Sequence, residues 1–174
     1  MTAEATQSRT GIAAGALPVS TRAGYGVGDF AVNLFFQSAL LFLLFFYTDV
    51  AGIAAATAAS IFLVARIVDA VTDPVMGVIA DRTRTRWGRF RPYVLAGGPL
   101  LAVMGVATFT APDLSPEGKV LYAYVTYILF GIAYTVVSIP YSSLTSALTE
   151  NSHERTELST YRMAFAMLGG LLVA

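Results

Sequence analysis

Four apolar stretches, each of about 20 residues or more, follow one another along the chain, and a fifth is under way where the sequence stops. About 20 mostly apolar residues is what a helix needs to cross the hydrocarbon of a bilayer. Only helices or closed barrels satisfy their backbone groups there, and these runs lack the strict alternation of barrel strands. The expected fold class is therefore all-α, a polytopic membrane protein. Its spans are placed at about 24–47, 53–80, 92–111, 120–148 and 159–174, the last cut off at Ala174. Pro74 and Pro140 fall inside spans, where kinked membrane helices tolerate them.

Composition supports the membrane class. Of 174 residues, 56% are hydrophobic and 13% charged, against about 25% charged in a usual soluble domain. So little charge cannot coat a water-soluble globule, which argues against a soluble enzyme or binding module. There is no cysteine and one histidine, His153, so thiolate and multi-histidine metal sites are excluded. The formal net charge is zero, and no nucleic-acid partner is indicated.

Residues 1–23, rich in Ala, Thr, Ser and Gly, read as a disordered cytoplasmic tail without the apolar core of a cleaved signal. The chain closes on RMAFAMLGGLLVA, an apolar run without a polar end, and so reads as an N-terminal fragment whose remaining helices are needed for function. Orientation follows from the basic residues. The loop DRTRTRWGRFRP holds Arg82, Arg84, Arg86, Arg89 and Arg91, on the same side as Arg9, Arg22 and Arg155; the other side holds only Lys119. The N-terminus is expected to be cytoplasmic, in the cell membrane. Trp87 and Phe90 interleave these arginines, but a short basic loop between spans is the ordinary mark of a cytoplasmic face.

Ionisable groups inside spans cost about 2.5–3.5 kcal/mol each on insertion scales and tend to mark function. Here they are Asp29, Arg66, Asp69, Asp73 and Arg162. Positions 66, 69 and 73 share one helix face by their spacing, and such a face points into a polar cavity rather than at lipid. A plain Arg66–Asp69 salt bridge is the structural alternative. Three aspartates against two arginines leave the interior one negative charge in excess, which one monovalent cation or proton would neutralise. Tyr134, Ser138 and Ser142 form an i+4 row with Thr135 beside it, either packing hydroxyls between helices or lining the cavity. Gly26-Val27-Gly28-Asp29 also matches the GxGD signature of intramembrane aspartyl proteases. That family's preceding Tyr-Asp helix and following Pro-Ala-Leu motif are missing from this sequence.

ARIVDAVTDPVMGVIADRTRTRWGRFRP, residues 65–92, resembles the signature of the glycoside–pentoside–hexuronide:cation symporters, the melibiose-permease-like branch of the major facilitator superfamily. Segments 28–53, 133–144 and 154–163 agree, so the resemblance covers about 24–174. It implies the N-terminal part, about four and a half helices, of a twelve-helix transporter that moves a sugar or glycoside with Na⁺ or H⁺ (Li⁺ being possible) by alternating access. No enzymatic activity, cofactor or metal beyond the transported cation is implied. By position, Asp69, Thr72, Asp73 and Thr135 match the family's cation site. Asp29, Tyr134 and Arg162 match sugar-contacting positions, and Arg66 matches the arginine beside the aspartates. Gly77, Asp81 and Arg82, with Arg89 in the same loop, resemble the superfamily's motif between helices two and three. The chain departs from melibiose permeases at Ser138 (there an aspartate), Ser142 (a tryptophan) and Gly28 (a lysine). These substrate-facing changes favour xyloside or glucuronide substrates over galactosides. The resemblance also reaches the animal lysolipid symporters, the alternative reading.

Overall fold

A computed structural model of the chain describes residues 18–149 and 151–174. Five helices build it: α1 (Val19–Phe45), continued by a π-helical turn at Phe46–Val50, then α2 (Ala55–Arg82), α3 (Arg91–Thr108), α4 (Pro116–Leu148) and α5 (Ser152–Val173). No strand occurs among the described residues. The fold class is all-α. α1 lies along α5, and α4 runs down the middle, in contact with both α2 and α3.

Val19–Val50, Ala55–Arg82 and Pro116–Thr145 are long and apolar enough to cross a membrane. The sequence suggested four such spans. α3 has 18 residues that begin Arg-Pro and contain Pro99, and the first half of α5 is charged and polar.

The helix ends differ from the expected span ends for local reasons. Ser115 caps α4 by accepting from the Gly118 amide at 3.2 Å, with Pro116 in the first turn, so α4 begins before its apolar run. Asn151 caps α5 by accepting from the His153 amide at 2.9 Å, and the polar ERTELSTYR stretch is therefore helical. α1 starts at Val19, inside the stretch read as tail. Arg22 there pairs with Glu157 of α5 at 2.6 Å, a tertiary tie that hydropathy does not register. Residues 1–17 of that expected tail lie outside the described residues.

Small residues let the helices approach closely, as is usual where lipid removes the hydrophobic drive between them. Gly26 of α1 faces the Phe165 ring of α5, and a Cβ on Gly169 would sit 3.0 Å from the Phe30 carbonyl oxygen. Gly97 of α3 is pressed against Val137 of α4. Half-buried hydroxyls add interhelical bonds: Tyr122 to the Ala107 carbonyl at 2.9 Å, and Ser60 with Tyr124 at 2.7 Å. At the end of α1 the turn into α2 passes Gly52, whose φ of 72° lies in the left-handed region open to glycine. Leu43, Tyr47, Ile53, Ala58, Ile61 and Ala123 close a core there. Many large apolar side chains remain exposed, among them Leu40, Val71, Val106, Leu121 and Leu171. That is the surface a lipid-facing bundle presents.

Candidate functional site

The intramembrane charges gather into two groups. In the first, Asp29 of α1 meets Arg162 of α5. The guanidinium donates through Nε to one carboxylate oxygen and through Nη2 to the other at 3.2 Å. Nη2 also donates to the Ser142 hydroxyl of α4 at 3.1 Å, so three helices meet at one guanidinium. The Asp29 side chain is 10% exposed and that of Arg162 24%. A two-pronged, charge-assisted contact in such surroundings is strong and fixes orientation. Asn33 donates to the Asp29 carbonyl at 2.9 Å, and the opening beside the fork is lined by Asn33, Ser159 and Ala166.

The second group lines a groove between α2 and α4, with Phe36 of α1 at its side. Arg66, Asp69 and Asp73 all face it, along with Tyr134, Thr135 and Ser138. Arg66 Nη1 is 3.3 Å from Asp69 Oδ2, and the Arg66 guanidinium carbon lies 5.9 Å from the Phe36 ring centre. Thr135 donates to Asp73 Oδ1 at 2.7 Å. The missing side chain of Gly131 lets α4 approach Asp69, since a Cβ there would be 3.0 Å from its Oδ1.

This arrangement sorts the expected site residues. Asp69, Asp73 and Thr135 come together; Thr72 does not join them, its hydroxyl pointing back to the Asp69 carbonyl of its own helix at 3.4 Å. The Tyr134–Ser138–Ser142 row divides: Tyr134 and Ser138 face the groove, while Ser142 reaches Arg162. Tyr134 stands between the groups, its ring 5.0 Å from that of Phe36 and within electrostatic reach of Asp29, Asp73, Arg66 and Arg162. Phe36, Tyr127 and Gly131 were not anticipated. Gly131 carried a signal, because an isolated glycine inside a helix often marks a close approach.

Away from both groups, Asp81 and Arg89 of the basic loop pair at 2.8 Å, and Arg89 Nε donates to the Ala80 carbonyl at 3.1 Å. Gly88, with φ 96°, turns the chain so that Arg89 folds back onto the end of α2. Gly77 faces Ile139 of α4 at ordinary contact distance, and Arg82 ends α2.

Charges gathered along polar clefts between membrane-length helices suit the passage of a polar solute. The comparisons agree: the family model for MFS/sugar transport protein matches residues 24–174. The chain is 50% identical over 153 residues to the uncharacterized symporter YnaJ of Bacillus subtilis, covering 88% of this chain and 33% of that protein. It is 46% identical over 156 residues to the inner membrane symporter YicJ of Escherichia coli, covering 90% and 34%. It is 45% identical over 170 residues to the isoprimeverose transporter of Lactiplantibacillus pentosus, covering 98% and 36%. The chain belongs to the MFS/sugar transport protein family and spans about a third of the length of these relatives. The protease reading falls away, since the family and these relatives are transporters.

Proposed function

We propose that the protein containing this chain is a symporter that carries a sugar or glycoside across the cell membrane with a monovalent cation. The observation that carries the reading is how the carboxylates are partnered. Asp29 has Arg162, and Asp69 has Arg66; Asp73 has the neutral hydroxyl of Thr135 as its hydrogen-bond donor among the described residues. The surplus negative charge of the interior therefore resides at Asp73. A carboxylate in that position is balanced by a bound cation or by a proton.

Asp73, Asp69 and Thr135 offer oxygen donors alone, the set a hard cation such as Na⁺ or Li⁺ prefers. A proton on Asp73 satisfies the same charge balance. On the substrate side, Asp29, Arg162, Ser142, Ser138 and Tyr134 combine acceptors, donors and an aromatic face, which suits a ligand made of hydroxyls. The remaining helices complete the cavity, and exchange between the two faces of the membrane follows from movement of one bundle against the other. Eight arginines on one side, five of them at positions 82–91, support a cytoplasmic N-terminus.

The test is uptake by the complete transporter in proteoliposomes, with isoprimeverose as the first substrate because one relative is named for it. Accumulation against a gradient is expected when an inward Na⁺ or H⁺ gradient is imposed, collapsing when both are dissipated. Uptake indifferent to either gradient contradicts symport.

A further inference from the structure

Tyr25 of α1 and Tyr141 of α4 are tied to each other twice. The Tyr25 hydroxyl donates to the Tyr141 carbonyl at 2.7 Å, and the Tyr141 hydroxyl donates to the Tyr25 carbonyl. Their rings stack at 4.8 Å with 22° between planes, and the Thr145 hydroxyl lies 2.7 Å from that of Tyr25. Both tyrosines are buried, closed underneath by Leu158 of α5. Gly28 makes the contact possible, since a Cβ there would run into the Tyr141 hydroxyl and ring.

The clasp borders the Asp29–Arg162 fork. Asp29 follows Tyr25 by one helical turn, and Ser142, which takes the third arm of Arg162, directly follows Tyr141. The Arg162 guanidinium carbon lies 5.6 Å from the Tyr25 ring centre and 5.7 Å from that of Tyr141. Aromatic faces at that range hold a guanidinium in place. The spacing of α1 from α4 at this turn thus sets where Asp29 and Ser142 stand, and hence where Arg162 can rest.

We propose that Tyr141, seated over Gly28, is a positioning residue that holds Arg162 in its fork with Asp29 and so sets substrate affinity. This rests on the reading of the fork as part of the substrate site. The Asp73–Thr135 contact joins α2 to α4 and makes no use of the clasp.

The complete transporter carrying Y141F or G28A is the test, with Y47F as the structural control. Tyr47 is buried too, and its hydroxyl bonds the Ala123 carbonyl at 3.5 Å near the other end of α1. Y141F and G28A are expected to raise substrate KM about tenfold, with half-saturating cation concentration and maximal rate within about twofold and the double variant less than additive. Y47F leaves KM in place. A second readout needs no substrate. This chain has no cysteine, so A166C, beside the fork, reports through its rate of alkylation in membranes once any cysteines elsewhere in the complete transporter are replaced by serine. That rate is expected to change at least about fivefold in Y141F and G28A and not in Y47F. Unchanged alkylation in Y141F, or an equal change in Y47F, overturns the proposal. A transporter that takes up no glycoside yet shows the alkylation effect upholds the positioning role and contradicts the proposed substrate instead.

Discussion

The carboxylate of Asp29 on α1 receives two prongs of the Arg162 guanidinium on α5, while a third contact from the same nitrogen fork ties in Ser142 of α4. The pair fixes α1 to α5 as well as shaping the polar opening beside it. Replacing Arg162 by alanine leaves a mostly buried carboxylate unpaired, at a cost of about 3–5 kcal/mol. Arg162→Lys keeps the charge but loses the planar fork. The expected order of thermal stability is wild type, then R162K, then R162A, with substrate affinity already lost in R162K by about tenfold or more. Melting curves and uptake titrations on the same preparations check both.

Thr135 donates the hydrogen bond that reaches Asp73. Thr135→Val keeps the shape and removes the hydroxyl, so the half-saturating cation concentration is expected to rise about five- to tenfold. Thr135→Ser is expected to stay within about twofold. Cation titration of substrate uptake distinguishes them.

Gly131 is where α4 comes close to the Asp69 carboxylate. A valine there drives Asp69 away from Arg66 and from the groove. Cation-stimulated uptake is expected to fall below about a tenth of wild type, with the protein still in the membrane. Normal cation stimulation in G131V would show that Asp69 has room to move and that its position is not critical.

The long helices were legible because bilayer thickness imposes a length on an apolar helix, and the Arg66–Asp69–Asp73 face was legible because helical geometry fixes i, i+3 and i+7. The helix starts at Val19, Pro116 and Ser152 were not, since hydropathy ignores caps such as Ser115 and Asn151 and ion pairs such as Arg22–Glu157. Nor was the partnering. That Asp29 chooses Arg162, and that Ser142 leaves the row of Tyr134 and Ser138, depends on how α1, α4 and α5 meet. Tyr25 and Tyr141 read as ordinary span residues until the helices that face them are in place.

Ser138 and Ser142 put hydroxyls on α4 where melibiose permeases carry an acid and a tryptophan, and Arg162 is the cation of the proposed substrate side. A galactoside hydroxyl that relies on a carboxylate at position 138 finds a weaker acceptor, a difference of roughly 1.5–3 kcal/mol for a bond to a charged group. Xylosides and glucuronides are therefore expected to displace a bound substrate more effectively than melibiose-type α-galactosides. Competition assays in which an α-galactoside wins by more than about tenfold, or about 1.4 kcal/mol, refute this preference.

The central claim is that the uncompensated charge at Asp73 couples cation to substrate. Uptake of isoprimeverose by the complete transporter, measured with and without an imposed cation gradient in wild type and Asp73→Asn, tests it most directly. The account predicts that D73N still binds substrate and exchanges it down its gradient, yet accumulates none against it under any Na⁺ or H⁺ gradient. Gradient-driven accumulation by D73N at the wild-type level contradicts it.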